Sequence, residues 1–343
     1  MNLILDIFPY AIAYTMPLLA AALGGLYSER SGVVNIGLEG LMVMGMFVSA
    51  ITIAAFEPAI AVWTLARCQA RGIDIVASPA EYQAIFNHFH AMVLWIGVLA
   101  GTLGATIFSL LHAFASVTLK ANQVISGTAI NMIAGAITVF LARTISGSGN
   151  ISIKLGFLRG DVPVLSKIPL LGRLFFSQTY ATTWLVLLIL VVSWLLIYRT
   201  PFGLRLRSCG EHPQTADAAG INVYRVRYIA VMLSGAMAGL AGSVMLVTYA
   251  GEFTGSVAGM GFLALAALIF GQWKPLGILG ATFFFGIAAT IANVAPGIPR
   301  LSSIPEWILR IFPYVVTLVA LMLFSKTSQA PRASGEAFDK GKR

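Results

Sequence analysis

Long apolar stretches, separated by short polar segments, run through almost the whole chain. Nine of them are nearly free of charged residues and long enough to cross the hydrocarbon core of a bilayer as helices. They lie at about 7–27, 38–56, 91–117, 123–142, 180–198, 229–250, 258–273, 275–296 and 307–325. Backbone groups in lipid must be hydrogen-bonded within the segment, which favours helices, and no alternating barrel strands are present. The pattern therefore predicts an all-α, polytopic membrane helical bundle of nine spans.

The span count and the orientation depend on two further features. The stretch at 258–273 is short and rich in glycine, so it could be re-entrant, and counts of eight or ten remain open. Lysine and arginine near span ends mark the cytoplasmic side. With the amino terminus outside, 13 of the 22 basic residues fall inside and 9 outside. We therefore expect the amino terminus outside and the carboxyl terminus inside.

Composition agrees with a membrane protein and excludes a water-soluble one of this size. Of the 343 residues 58% are hydrophobic and 10% charged, and the mean hydropathy is +0.86, whereas soluble domains carry about 25% charged residues. The net charge of +9 comes from basic residues at span ends and in the tail. We expect membrane lipid around the chain and no nucleic acid as a partner.

Signals of an enzyme, a metal site or a disulfide are absent from the sequence. There is no phosphate-binding GxxxxGK[ST] sequence and no GxSxG turn, so we expect no catalytic residues and no ATP hydrolysis by this chain. Cys68 and Cys209 fall on opposite sides in the expected topology, and no metal-ligand spacing is present. The first run lacks a secretory leader, which predicts a retained span.

A polar segment at 199–228 interrupts the apolar pattern in mid-chain. The arginines that flank it are Arg199, Arg205, Arg207, Arg225 and Arg227. Pro213 suits the first turn of a helix and Gly220 suits its end. We predict a two-turn helix from Pro213 to Ala219 on the cytoplasmic face, with small side chains that let another protein approach its backbone. An ordinary solvated loop is the alternative.

Three other polar regions complete the organisation of the chain. Residues 57–90 are expected to be an outer surface insertion, or an elaboration that meets an external partner, and 143–179 a structured outer loop. The tail, 327–343, is polar and is expected to be disordered. Residues 1–326 then form one transmembrane domain with a cytoplasmic loop at 199–228.

Polar residues within the apolar runs are candidates for a substrate path. Glu39 near the inner end of a span is costly unless it is paired or hydrated, so it is a functional candidate; capping of helix N–H groups or pairing with Arg30 is the alternative. The full candidate set is Asn35, Glu39, Asn122, Gln123, Ser126, Asn131 and Asn293. Such groups could hydrogen-bond a polar solute during its passage, or could bond neighbouring helices. Pairs of glycines at 97/101 and 235/239 predict close helix packing.

Several strings resemble the permease subunits of bacterial ABC importers, in the branch that carries simple sugars, branched-chain amino acids and nucleosides. They are SERSGVVNIGLEG (28–40), KANQVISGTAIN (120–131), GFLALAALIFGQWKPLG (261–277) and the 199–228 segment. The first string is similar to the signature of the nucleoside-type permeases. Together the matches spread over residues 10–325.

The resemblance implies a function and a set of partners. It implies a multi-pass permease in the bacterial inner membrane that translocates nucleosides or simple sugars by alternating access. Partners would be an ABC ATPase that binds ATP and Mg²⁺, a second homologous permease and an extracytoplasmic substrate-binding lipoprotein. This chain would bind no cofactor. The ATPase would dock on Gly210, Pro213, Ala216, Ala218, Ala219 and Gly220. The alternative is a stand-alone secondary transporter or channel for a small polar solute.

Overall fold

A computed structural model describes residues 2–75, 77–154, 156–163, 165–169, 172–294 and 329–341, with single positions between 308 and 322. The helices are α1 (Asn2–Arg30), α2 (Leu38–Ala70), α3 (Pro79–Ala113), α4 (Gln123–Ser146), α5 (Ala181–Arg199), α6 (Pro201–Glu211), α7 (Pro213–Ala218), α8 (Val223–Met245), α9 (Met260–Phe270) and α10 (Pro275–Val294). Single turns of π-helix follow α3 (Phe114–Thr118), precede α5 (Gly172–Phe176) and follow α8 (Leu246–Ala250), and Leu165–Lys167 is a 3₁₀ turn. β1 (Ile151–Ser152) pairs antiparallel with β2 (Glu252–Phe253).

Seven helical segments in the described part of the chain are long and apolar enough to cross a membrane. They are Phe8–Arg30, Leu38–Ala70, Pro79–Thr118, Gln123–Ser146, Ala181–Arg199, Val223–Ala250 and Pro275–Ala292. The chain is therefore a mostly helical, multi-pass membrane protein, as the apolar pattern predicts. The run predicted at 307–325 lies largely outside the described residues.

α1 lies at the centre of the bundle. It packs between α8 and α10, with α9 and α5 against its remaining sides. All side chains from Leu18 to Leu23 are fully buried. A helix that is apolar on every side is stable only when it is surrounded, and α1 has that composition.

Glycines allow α2, α3 and α8 to touch backbone to backbone. A Cβ added to Gly45 would lie 2.4 Å from the Cα of Gly239, and one added to Gly101 would lie 2.4 Å from the carbonyl oxygen of Gly45. Any side chain at these positions would force the helices apart. Small residues commonly form such contacts in membranes, where packing replaces the hydrophobic effect. The pairs at 97/101 and 235/239 lie in this region, as predicted.

Most of the segment 57–90, predicted to be an outer surface insertion, continues two helices. α2 runs on to Ala70, and α3 begins at Pro79 after a turn that Gly72 makes with a φ of +67°. The two extensions pack together along one narrow apolar side, on which Ile60 and Cys68 are buried. Charged and polar residues interrupt the apolar pattern of both extensions, which conceals the helices from a search for apolar runs.

α9 occupies only part of the stretch predicted as a span at 258–273. Gly251 just before β2, and Gly255 and Gly259 between β2 and α9, have positive φ values, so a helix cannot form there. The ring centroids of Phe253 and Phe47 lie 5.3 Å apart. Phe47 is about two turns of α2 away from Glu39. The non-helical segment therefore runs alongside α2 before α9 begins.

The carboxyl-terminal tail is ordered, which corrects the expectation that residues 327–343 are disordered. The described part, 329–341, packs on the face of the bundle that carries α6 and α7. Ala333 and Phe338 are each only 4% exposed. Burial of an aromatic ring and specific backbone contacts compensate for the polar composition that suggested disorder.

Candidate functional site

α6 and α7 form the surface that the sequence predicts to be the contact for an ATPase. Thr200 caps α6 by accepting a hydrogen bond from the Gly203 N–H at 3.2 Å. Pro213 starts α7, and Gly220, with a φ of +83°, follows its end. The short helix predicted from Pro213 to Ala219 is confirmed, with its last helical residue at Ala218.

The six predicted coupling residues divide into a buried group and an exposed group. Gly210, Pro213 and Ala216 are buried and attach the two helices to the bundle, whereas Ala218, Ala219 and Gly220 are exposed. At Gly210 only glycine fits, because an added Cβ would lie 2.3 Å from the carbonyl oxygen of Arg30. The buried group therefore holds the surface in place and leaves the exposed group free to contact another protein.

An open cavity of about 370 Å³ lies between α6 and α7. Its lining consists of Leu204, Arg207, Ser208, Glu211, His212, Thr215, Ala216, Ala219 and Ile221. Apolar side chains and charged groups of both signs therefore meet in one concave surface. Such a surface suits a side chain of a partner protein that has both apolar and polar atoms.

Arg227 is one of the arginines that flank the polar segment, and its side chain is buried within the bundle. Its side chain is 1% exposed, and its Nε donates a hydrogen bond to the Ser31 carbonyl oxygen at 3.1 Å. It lies on one helical face with Val223 and Val231, both fully buried. That spacing was visible in the sequence and could have identified the burial of Arg227.

We expect the thiol of Cys209 in α6 to resist alkylation in the folded protein. Burial raises the pKa of this thiol to about 11, and the thiolate is the reactive form. A maleimide at pH 7.4 should leave Cys209 unmodified in a Cys68→Ala background, and the rate should rise as the pH approaches the pKa. Mass spectrometry before and after addition of SDS measures the modification.

The control for this experiment is an exposed position in the same helix. Arg205 is exposed, so a cysteine in Arg205→Cys should react rapidly under the same conditions. Equally rapid labelling of Cys209 in the folded protein would contradict its burial.

The second candidate site is a polar cluster where the α1–α2 linker meets α3, α4 and α8. Asn35 in the linker is fully buried. Its Nδ2 donates to the Ser234 hydroxyl at 2.9 Å, and its Oδ1 accepts from the Gly37 N–H at 3.1 Å. The linker is not helical, and these bonds satisfy backbone and side-chain groups that would otherwise be unpaired within the bundle.

Gln123 and Ser126, at the start of α4, also contact the linker or its neighbours. The Gln123 Oε1 accepts from the Val34 N–H at 2.7 Å. The Ser126 hydroxyl lies 2.9 Å from Nδ1 of His112, whose Nε2 lies 3.2 Å from the Val34 carbonyl oxygen. His112 and Ser234 are thus members of the cluster that the sequence analysis missed. Both are polar residues within apolar runs, which was the available signal.

Asn122 and Asn131 are held differently. Asn122 is the N-cap of α4, and its Oδ1 accepts from the Val124 and Ile125 N–H groups. The Asn131 Oδ1 accepts from the Gly40 N–H at 2.7 Å, and its Nδ2 donates to the Ile36 carbonyl oxygen at 3.1 Å. Asn122 is exposed and Asn131 is half-buried.

Glu39 joins α2 to the start of α9. One carboxylate oxygen accepts from the Gly259 N–H at 2.9 Å, and the other accepts from the Gly261 N–H at 2.7 Å. This is the capping arrangement that the sequence analysis held open, made to a helix more than 200 residues away. Arg30 instead donates to the Trp273 carbonyl oxygen at 2.9 Å. Asn293 lies in α10, and its side chain is outside the described residues.

Comparison with known proteins gives full-length matches. Residues 7–321 match the family described as branched-chain amino acid transport system / permease component. The guanosine ABC transporter permease protein NupQ of Bacillus subtilis is 41% identical over 98% of this chain and 97% of its own length. The nucleoside ABC transporter permease protein NupC of Lactococcus lactis is 37% identical over 96% of each chain. The guanosine ABC transporter permease protein NupP of Bacillus subtilis is 25% identical over 82% of this chain and 73% of its own.

Proposed function

We propose that the chain is the permease subunit of an ABC importer for nucleosides. It belongs to the family of branched-chain amino acid transport system permease components. The observation that carries the choice of substrate is the identity of 41% and 37%, over nearly the full length, to permeases named for guanosine and for nucleosides. Permease subunits of this kind have no ATPase activity, and ATP is hydrolysed on a partner subunit.

The order of the elements supports the topology that we propose. With α6 and α7 in the cytoplasm, α1 to α5 and α8 cross the membrane alternately, and the non-helical segment before α9 makes the next crossing together with that helix. α10 and the run at 307–325 would complete nine crossings, with the amino terminus outside and the carboxyl terminus inside. The membrane is the bacterial inner membrane, where the positive-inside arrangement places the arginines of the α6–α7 segment in the cytoplasm.

The exposed group on α7, residues 218–220, and the cavity beside it are the docking surface for the ATPase. ATP and Mg²⁺ bind to that partner. ATP binding favours one of two arrangements of the permease, and only a difference in affinity between the two states can drive the change. Movement of α7 then shifts the spans between outward-open and inward-open states.

A second homologous permease covers an apolar face of α4. This helix buries one narrow side, and Ile125 and Met132 on its other sides are 67% and 76% exposed. Bacillus subtilis has two proteins named guanosine ABC transporter permease, and both are similar to this chain. That pairing supports a complex of two related permeases. An extracytoplasmic binding lipoprotein delivers the substrate to the opposite face.

The substrate path runs along the exposed side of α4. Asn122 is exposed and Asn131 is half-buried, whereas Asn35, Gln123 and Ser126 are buried and hold the linker that supports this helix. Amide groups suit ribose hydroxyls and base edges, which both donate and accept hydrogen bonds. Glu39 shapes the path through α9, and Asn293 remains a candidate on α10.

Uptake by the complete importer tests this function. Proteoliposomes with both permeases, the ATPase and the binding lipoprotein should accumulate labelled guanosine only with internal ATP on the ATPase side. Excess unlabelled nucleoside should compete, and ribose or leucine should not. Competition by ribose or leucine alone would contradict the nucleoside assignment. Nucleotide-free uptake by this chain alone would instead favour a stand-alone carrier.

A further inference from the structure

The carboxyl-terminal tail is attached to the α6–α7 face by backbone hydrogen bonds and one buried ring. The Ala333 N–H donates to the Gly210 carbonyl oxygen at 2.9 Å, and the Gly335 N–H donates to the Gly32 carbonyl oxygen at 3.2 Å. The Phe338 ring packs against the Tyr224 ring, with 5.2 Å between the ring centroids. These contacts place the tail over the ends of α1, α6 and α8.

Arg227 fixes the tail from beneath. Its Nη1 donates to the Glu336 carbonyl oxygen at 2.8 Å, while its Nε holds the Ser31 carbonyl oxygen. One buried guanidinium therefore ties the tail to the linker between α1 and α2. Loss of the tail would leave a buried cation with one fewer partner, which is a costly arrangement.

Two adjacent residues of the tail connect two separate parts of the protein. Asp339 lies 2.8 Å from the ammonium group of Lys120, three residues before α4 begins. Lys340 lies 3.4 Å from the carboxylate of Asp217 in α7. Lys120 donates a hydrogen bond to the Asp339 carboxylate, and this bond raises the pKa of the Lys120 ammonium group. α7 packs mainly on α6 and α8, and α4 packs mainly on α2 and α3.

We propose that the tail is a relay that passes movement of α7 directly to the start of α4. The proposal rests on the proposed function, in which an ATPase moves α7 and α4 borders the substrate path. The two ion pairs are exposed, and exposed pairs contribute little energy on their own. Phe338 and the backbone hydrogen bonds hold the tail, and the ion pairs set which parts of the surface it joins.

Hydrogen exchange of the intact importer in lipid, with and without ATP and vanadate, tests the relay without using any substrate. In the unaltered complex we expect ATP to change exchange in peptides covering 210–222 and 118–126. When residues 329–343 are removed, the change at 210–222 should persist. The ratio of the exchange rates with and without ATP at 118–126 should shrink at least about fivefold. This factor is the lower end of ordinary coupling between sites.

Single substitutions and one charge exchange guard against a general loss of folding. Phe338→Ala should act like the deletion while keeping the chain length. Lys120→Asp and Asp339→Lys should each weaken the response at 118–126, and the two together should restore it, which damage to folding would not do.

The outcomes separate this proposal from the proposed function. A full response at 118–126 without the tail overturns the relay and leaves the importer assignment intact. A failure of the unaltered importer to take up guanosine overturns the nucleoside assignment and leaves the relay standing. Absence of any ATP response at 210–222 in the unaltered complex removes both the coupling assignment and the relay.

Discussion

Ala219→Arg is expected to abolish uptake and binding of the ATPase while the protein remains in the membrane. Ala219 is exposed and lines the cavity between α6 and α7. A guanidinium there would fill the cavity, exclude a side chain of the partner and add a cation beside Arg207. Loss of a central, desolvated contact costs about 2 kcal/mol or more, which lowers the affinity by a factor of roughly 30 or more. Co-purification of the ATPase and uptake of guanosine measure the two effects.

Two variants control for the size and the charge of this substitution. Ala219→Ser adds one polar atom and should retain the ATPase. Ala80→Arg makes the same chemical change at an exposed alanine near the start of α3, far along the chain from the coupling surface, and should also retain it. Normal uptake by Ala219→Arg would show that the ATPase docks elsewhere.

The helix α7 could be predicted from the sequence because its signals are local. Pro213 and Gly220 mark the ends of α7 by backbone chemistry alone, and the flanking arginines mark the segment as polar. The motifs at 28–40 and 120–131 indicated the permease family, and the full-length matches confirm it. These features depend on residues close together in the chain.

The features that the sequence analysis missed depend on residues far apart. The tail is held by hydrogen bonds to Gly32, Gly210 and Arg227, which come together only in the folded protein. The extensions of α2 and α3 pack against each other, and this pairing joins two separate parts of the chain. The polar cluster likewise joins the linker to three helices, so its members are far apart in the chain.

The role of Glu39 needed the structure, because its partners lie 220 and 222 residues away. The non-helical segment before α9 brings backbone N–H groups into the bundle, where water is scarce. A helix start also has N–H groups without partners in the helix. The carboxylate of Glu39 satisfies two of these groups, so the sequence places a costly charge where the backbone requires an acceptor.

Glu39→Ala should therefore destabilise the protein strongly. Each unpaired backbone N–H costs about 1–3 kcal/mol, so the free energy of unfolding should fall by about 2–6 kcal/mol. Glu39→Gln keeps one acceptor oxygen and should lose less. Unfolding of the detergent-solubilised protein by denaturant, followed by circular dichroism, measures the change.

Glu57 offers a matched control for this substitution. Its carboxylate accepts from the Lys154 N–H at 2.7 Å, but that bond is exposed to solvent. Water can replace the acceptor in Glu57→Ala, so the free energy of unfolding should change by less than about 1 kcal/mol. If Glu39→Ala unfolds like the unaltered protein but takes up guanosine with a changed KM, Glu39 contacts the substrate and its capping of α9 is dispensable.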